Sequence, residues 1–559
     1  MNSFVLGPAS RRGFQNTSSR LPLNSRALRL GFGSLFTVIL CASLQASPVA
    51  LDTNLQIRLV LYTTNSSGAH STRIAKDPRN NQLYYLKDNG DIFQVNLASG
   101  DGSISTKVYS SADHGIATSA LGMAIGPDGT IYIVGNTTTN SGNSTFATVM
   151  QGVPASGGGR GWSTLARTEA YPKSRTAFDH LMSGLTVSPD GKFLYLNSGS
   201  RTDHGEIEST GGLYPGLRET GLTAKILRLP LNVTNLVLTN DLAALRAGGY
   251  VFAEGTRNSF SLGFSPSGEL FGTDNGPDRD MSDELNWIRP GLHFGFPWRM
   301  GGADNPQQFP NYDPSTDLLL DHRFVAVASG TYQNDPTFPP PPTNFFEPVI
   351  NLGPDANSYR DPADGSIRIA SAVGRTLSTV TAHRSPLGLV FDVSDSMAPP
   401  YREHGFMLSW TQGDPSDDSI AGPFKDASQD MVDLDLTPLG TNYQARITRI
   451  VGGFSNPIDA AIISNRVYVI EYGGDQGIWE VTFPAATARI NLTGAGWSPG
   501  TGFEFSFNTV PGTSYTVLTS SNLVSWSSAG TFVATNGSFH FNDQPAAHAP
   551  ARFYRVVSP

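Results

Sequence analysis

One phrase recurs six times along this chain: a short apolar strand, a turn rich in Asp, Gly and Pro, then a second apolar or aromatic strand. Its clearest copies are GMAIGPDGTIYIVG from Gly122, GLTVSPDGKFLYLNSG from Gly184 and SLGFSPSGELFGTDNG from Ser261. RIAKDPRNNQLYYLKDNGDIFQV from Arg73 precedes them, and PLGLVFDVSDSMAPPYREHGFMLSW from Pro386 and NPIDAAIISNRVYVIEYGGDQGIWEV from Asn456 follow. Apolar and polar residues alternate at period two around each turn, the pattern of a hairpin inside an antiparallel sheet. A small sheet cannot bury both faces alone, so such repeats stack radially and each covers its neighbour. The expectation is therefore all-β: a six-bladed β-propeller over residues 56–483, one hairpin per blade, with glycine and small residues on the crowded inner strands. The 59 glycines and 38 prolines agree with a chain of many turns and few helices.

The largest gap between copies, residues 298–382, holds a proline-rich stretch at 336–342 that cannot sit in a central strand, and it reads as a loop excursion. Long loops around a propeller channel are where a site is assembled. Residues 487–559, rich in Ser, Thr, aromatics and tight turns, read as a small C-terminal β-sandwich-like module. Its Tyr515, Trp526, Phe541 and Tyr554 are expected in its core, and the module is expected to contact a glycan or a cell surface. At the other end, arginines at 11, 12, 20, 26 and 29 precede an apolar run, residues 30–44, which ends in small residues. That is a secretory signal over 1–46, shorter than the roughly 20 apolar residues of a spanning helix. The mature chain is expected to be exported, periplasmic or extracellular, with no membrane span. The one cysteine, Cys41, lies in that signal, which leaves the mature chain no thiol chemistry. A net charge of −9 argues against nucleic acid as a partner.

Chemistry-bearing residues concentrate between Thr256 and Pro297, where an Arg257-Asn258 pair is followed by Asp274, Asp278, Asp280, Asp283 and Glu284. Carboxylates and the carbonyls of a Gly276-Pro277 turn suit a hard cation such as Ca²⁺, although an acidic, solvated connector has the same composition. His180 heads the third copy of the phrase, where the start of an inner strand reaches the channel mouth. A histidine there suits proton abstraction from an alcohol; a histidine hydrogen-bonded in a turn is the plainer reading, for His204 and His383 as well. No H-E-x-x-H or G-x-S-x-G pattern occurs.

The stretch RNSFSLGFSPSGELFGTDNGPDRDMSDELNWIRPGLHFGFP resembles the long signature of the soluble pyrroloquinoline quinone (PQQ) glucose/sorbosone, or aldose sugar, dehydrogenases. The resemblance extends through the His180 copy, AKILRLP near Lys225 and HRSPLGLVFD near His383. It implies a sugar as small-molecule substrate, a separate electron acceptor, and PQQ and Ca²⁺ as cofactors. It also implies His180 as the base, Arg257 as the cation beside the reduced quinone, Asn258 as a cofactor contact, and the carbonyls of Gly276 and Pro277 as metal ligands. Several family positions depart from the pattern. Ala117 stands where a glutamine or glutamate is expected, and Ser200 where an aspartate orients the base, with Asp203 a candidate replacement. The fifth and sixth copies lack the cations that anchor the cofactor carboxylates, for which Arg384, Arg446 and Arg449 are candidates. Three readings follow: an aldose-oxidising quinoprotein; a catalytically degenerate propeller that binds a glycan or protein; and a Ca²⁺-assisted hydrolase.

Overall fold

A computed structural model describes residues 47–64, 67–342, 344–413, 422–486, 490–498, 502–544 and 551–558. The expected signal segment and Cys41 lie outside the described residues. The chain divides into two compact units, one of residues 1–393 and 404–482, the other of residues 394–403 and 483–559.

In the first unit the repeated phrase forms hairpins. Ala120–Ile125 pairs antiparallel with Ile131–Thr139, Met182–Val187 with Phe193–Ser198, and Ser261–Phe264 with Leu270–Asp274. Among the described residues these hairpins open six mainly antiparallel sheets, whose first strands are Ser71–Asp77, Ala120–Ile125, Met182–Val187, Ser261–Phe264, Pro386–Phe391 and Pro457–Ile463. Each first strand neighbours the next, and the sixth neighbours the first, so the sheets close into the ring of a β-propeller. The apolar half of each strand is buried between sheets: Val134, Leu185, Leu196 and Leu227 share one cluster across the second and third sheets. Phe271, Leu285, Leu389 and Met407 share another across the fourth and fifth.

Closure of the ring uses the chain's own beginning. Strand Gln56–Tyr62 precedes the first copy of the phrase, yet it pairs antiparallel with Gly477–Thr482, the third strand of the last sheet. The two ends of the unit are thereby joined by a hydrogen-bonded ladder, so opening the ring requires that ladder to break.

Inner strands approach so closely that only glycine fits at two of the repeated positions. A Cβ on Gly184 would lie 2.7 Å from the carbonyl oxygen of Phe260, and one on Gly122 would collide with the carbonyl of Ser183. At the centre, Arg73 on the first inner strand donates from Nε to Leu121 O at 2.6 Å and from Nη2 to Phe260 O at 2.7 Å. Its Nη1 lies 4.0 Å from Asp459 on the sixth, and Asp459 in turn accepts from the Ile74 N–H at 3.0 Å. One buried side chain thus ties four sheets together.

The excursion at 298–382 carries only short elements, among them the helix Val325–Ala328 and strand Ile350–Pro354, which runs parallel to Asn442–Gly452. The second unit, taken alone, has two three-stranded sheets. Leu492–Ser498, Gly502–Asn508 and Ser538–Asp543 form one; Ser527–Val533, Ser514–Ser520 and Phe553–Val557 form the other. Phe505, Phe507, Tyr515 and Val517 make its core, with Phe541 and Tyr554 packed against them. Trp526 is the exception to the expected core: it lies outside that cluster and donates its indole N–H to Leu523 O in the adjoining turn.

Burial, against the pull of Arg73, pushes the Asp459 carboxyl up to about 6. Its share of stability is therefore greatest below about pH 4 and is lost as pH rises through 6. Arg73→Met is expected to cost about 3–5 kcal/mol in urea melts at pH 8, where it strands a buried carboxylate, and clearly less at pH 4.5. Equal losses at the two pH values would show that Arg73 does not act through charge.

Candidate functional site

In an antiparallel hairpin the start of the first strand and the end of the second lie at one edge. Here Ser71 faces Lys87, Met182 faces Ser198, Ser261 faces Thr273, Pro386 faces Ser409 and Pro457 faces Glu471. Residues just before the first strands and just after the second strands therefore gather at one mouth of the ring. His180, Arg257, Asn258, Gly276 and Pro277 all occupy such positions in the third and fourth sheets.

His180 is half-buried, and its Nδ1 lies 3.1 Å from Ser200 Oγ. That hydroxyl donates its single hydrogen to Thr202 O at 2.8 Å, so it can only accept from the ring. Nδ1 therefore carries the proton, and Nε2 presents a lone pair that no described residue engages. Burial, together with the Arg257 charge, pushes the imidazole down to about 3, so it is neutral throughout the physiological range. Ser200 thus sets the tautomer of His180 without supplying the charge an aspartate would.

Asp203 does not replace that aspartate. Its buried carboxylate accepts from Arg257 Nη2 at 2.7 Å, His204 Nδ1 at 2.9 Å, Tyr332 Oη at 3.1 Å and the Asp278 N–H at 3.1 Å. Burial alone would raise this carboxyl, but Arg257 and His204 outweigh it and hold it at about 2. Arg257 also donates from Nε to Asp203 O and from Nη1 to Asn275 O, at 2.8 and 3.2 Å, which leaves two of its five N–H groups for a ligand. Its backbone N–H and that of Asn258 both cap the Asp274 carboxylate, which burial pushes up to about 7. Asn258 Nδ2 reaches Asn275 Oδ1 at 3.3 Å.

The Gly276-Pro277 turn is pinned by a 2.6 Å bond from the Gly276 N–H to Asp283 Oδ1. Neither carbonyl of the turn accepts a hydrogen bond from the described residues. Unused carbonyl oxygens beside Asp278, whose carboxyl burial and Asp203 push up to about 6, form a donor set of the kind a hard cation takes. Among the described residues no three His, Cys, Asp or Glu side chains converge as a metal cage, so a cation here would rest chiefly on main-chain oxygens.

The excursion is fastened over this half of the mouth. Tyr332 stacks on His204 at 3.7 Å, Phe324 stacks on His383 at 4.1 Å, and the Ala326 N–H donates to Asp278 Oδ2 at 2.7 Å. His383 Nε2 meets Asp280 Oδ1 at 2.8 Å, and although burial opposes it, that carboxylate raises the imidazole.

Two of the candidate cationic anchors are committed to carboxylates. Arg384 is fully buried against Asp430 at 2.6 Å and Asp426 at 2.8 Å, and Arg449 Nε reaches Asp430 at 2.9 Å. Arg446 is exposed, on the outer strand Asn442–Gly452, away from the mouth. Ala117 lines a cavity of about 330 Å³ with His114 and Thr137 and offers no polar side chain there.

A neutral histidine with a free Nε2 lone pair, next to a carboxylate-held arginine, can accept a proton from a hydroxyl group. A family model described as Glucose / Sorbosone dehydrogenase matches residues 61–316, which include every one of these candidate residues before the excursion. The chain resembles that family over this stretch, as its signature implied. Quinoprotein glucose dehydrogenase B of Acinetobacter calcoaceticus is 25% identical over 209 residues, 34% of this chain and 42% of that protein, so the chain spans less than half the length of this relative. Among solved structures, the PQQ-bound aldose sugar dehydrogenase of Streptomyces coelicolor is 16% identical at a TM-score of 0.42, covering 78% of this chain and 99% of that one. The apo form of the soluble aldose sugar dehydrogenase of Escherichia coli is 12% identical at 0.44, covering 77% and 99%.

For PQQ, the groups on the His180 side would suit the reactive end of a quinone: a free Nε2, two arginine N–H groups and two unused carbonyls of the kind a cation takes. Its carboxylates would find Arg384 and Arg449 already bound to Asp426 and Asp430. In ¹⁵N NMR, His180 is expected as the Nδ1–H tautomer at pH 7, with no protonation down to pH 5. An Nε2–H tautomer would remove the lone pair on which the site depends.

Proposed function

We propose that this chain is an exported quinoprotein that oxidises aldose sugars, with PQQ and Ca²⁺ as its cofactors. The observation that carries the reading is the unengaged Nε2 of His180, held in place by Ser200 and beside Arg257. Within this reading Nε2 takes the proton of the sugar C1 hydroxyl, and the neutral imidazole is ready to do so at any pH above about 4. PQQ, when bound, supplies the two-electron acceptor for the hydride of C1. Arg257, kept rigid by Asp203, directs its two remaining N–H groups toward negative charge that develops in the mouth. Asn258 contributes an amide next to them, and the carbonyls of Gly276 and Pro277, which accept no hydrogen bond from the described residues, would hold Ca²⁺. The N-terminal basic and apolar segment supports export, and among the described residues no helix is long and apolar enough to cross a membrane.

A second reading, a propeller that keeps the fold and binds a glycan without redox chemistry, is favoured by the commitment of Arg384 and Arg449 to carboxylates. The two separate on one experiment: reconstitution of the purified chain with PQQ and Ca²⁺, followed by dye reduction with a panel of aldoses. The first reading expects activity that EGTA abolishes and that His180→Ala lowers at least about 100-fold in kcat. Binding of PQQ is expected to be micromolar or weaker, because charge-assisted bonds worth about 1.5–3 kcal/mol each are missing at the carboxylates. No dye reduction at saturating PQQ would leave the binding reading.

A further inference from the structure

The half of the mouth opposite His180 has a different character. His70 precedes the first inner strand, Trp410 follows the second strand of the fifth sheet, and Tyr472 follows that of the sixth. Their rings form a continuous run, with His70 stacked on Tyr472 at 4.3 Å and Trp410 5.0 Å from Tyr472. All three are only partly buried: Trp410 and Tyr472 pack on the core cluster that includes Phe260, Leu387 and Ile470, and each keeps part of its surface open to solvent.

The run is held from behind. His70 Nδ1 lies 3.1 Å from Tyr472 O and 3.3 Å from Gln476 Nε2, and Asn456 Nδ2 donates to Trp410 O at 3.1 Å. The Trp410 N–H bonds to Ser385 O at 3.1 Å. These bonds fix the backbones and use up the inward-facing nitrogens. The indole N–H of Trp410 is neither buried nor paired among the described residues. Beside the rings stands the half-buried carboxylate of Asp88; burial and this charge push the Tyr472 phenol up to about 12.

We propose that His70, Tyr472 and Trp410 form a stacking wall for an uncharged saccharide ring, with Asp88 and the Trp410 indole N–H reading its hydroxyls. Aromatic faces carry partial negative charge and meet the polarised C–H bonds of a pyranose, while a carboxylate accepts two neighbouring hydroxyls. Burial, the larger effect, raises this carboxyl, while the neighbouring charges of His70 and Lys87 lower it. The wall deepens the sugar-oxidising reading, on which it rests for the direction of the reacting carbon: one ring held here would leave the adjoining ring of an oligosaccharide toward His180. Trp410 and Tyr472 lie beyond the stretch that matches the family, residues 61–316.

The test is tryptophan fluorescence and calorimetric titration of the full chain, without PQQ, with a maltooligosaccharide and a cellooligosaccharide. Saturable binding by the wild type is expected with at least one of them. Trp410→Ala and Tyr472→Ala are expected to weaken it at least tenfold, and Asp88→Asn about threefold, with unchanged circular dichroism. Trp410→Phe, which keeps the packing and removes the N–H, covers the case in which the alanine variant unfolds, and should lose affinity by a smaller factor. Trp497→Ala, at an exposed tryptophan of the second unit, should bind as the wild type does. Absence of binding to either oligosaccharide would overturn the wall, as would binding that survives Trp410→Phe and Tyr472→Ala or that only Trp497→Ala removes. Binding at the wall in a chain that shows no dye reduction would sink the redox reading and leave this one standing.

Discussion

A ring of sheets has no interior except the one its innermost strands make together, and here that interior depends on Arg73. Its guanidinium bonds to carbonyls on the second sheet and just before the fourth, and faces Asp459 on the sixth, while its ring partner Phe260 lies 3.9 Å beneath it. A charge so placed is expensive to bury alone and tolerable only when each donor is met, so the four sheets must arrive in register for any of them to be satisfied. The glycines at 122 and 184 serve the same end, because a single Cβ there would hold the sheets apart. The pairing of Gln56–Tyr62 with the last sheet then keeps the ring from opening.

This geometry accounts for the division of the mouth into two chemistries. On the third and fourth sheets, polar loops leave their strands close together, and the carboxylates of Asp203, Asp274, Asp278 and Asp283 accept backbone and side-chain donors instead of standing free. Asp203 is the centre of that half. It holds Arg257, ties it to His204, and receives Tyr332 from the excursion, so the loop that covers the site and the arginine within it share one buried charge. Across the ring, on the fifth, sixth and first sheets, aromatic rings replace charged anchors, and the neighbouring arginines turn inward to Asp426 and Asp430.

Much of the fold was legible because a propeller repeats its local pattern: alternation at period two and a Pro-Asp-Gly turn mark each hairpin wherever it falls. The roles proposed for Arg257 and the Gly276-Pro277 turn rested on the family resemblance, while the places of these residues and of His180 beside strand ends could be read from the hairpins. Their partners could not. Nothing in the spacing of Ser200 or Asp203 says which faces the imidazole, and the structure gives that contact to Ser200 while Asp203 turns to Arg257. Nor does the order Leu408-Ser409-Trp410 in one repeat and Ile470-Glu471-Tyr472 in another indicate that their last residues meet; only the two repeats' positions in the ring do so.

The sequence by itself determined the hairpins, their number among the described residues and the edge of each sheet at which chemistry-bearing residues emerge, because these follow from local periodicity and turn stereochemistry. Tertiary structure alone decided the tautomer of His180, the commitment of Arg384 and Arg449 to carboxylates, the fastening of the excursion through Tyr332 and Phe324, and the aromatic run across the mouth. Each of these is a contact between segments far apart in the chain, fixed by which donor is nearest once the ring has closed, and no local pattern encodes that choice.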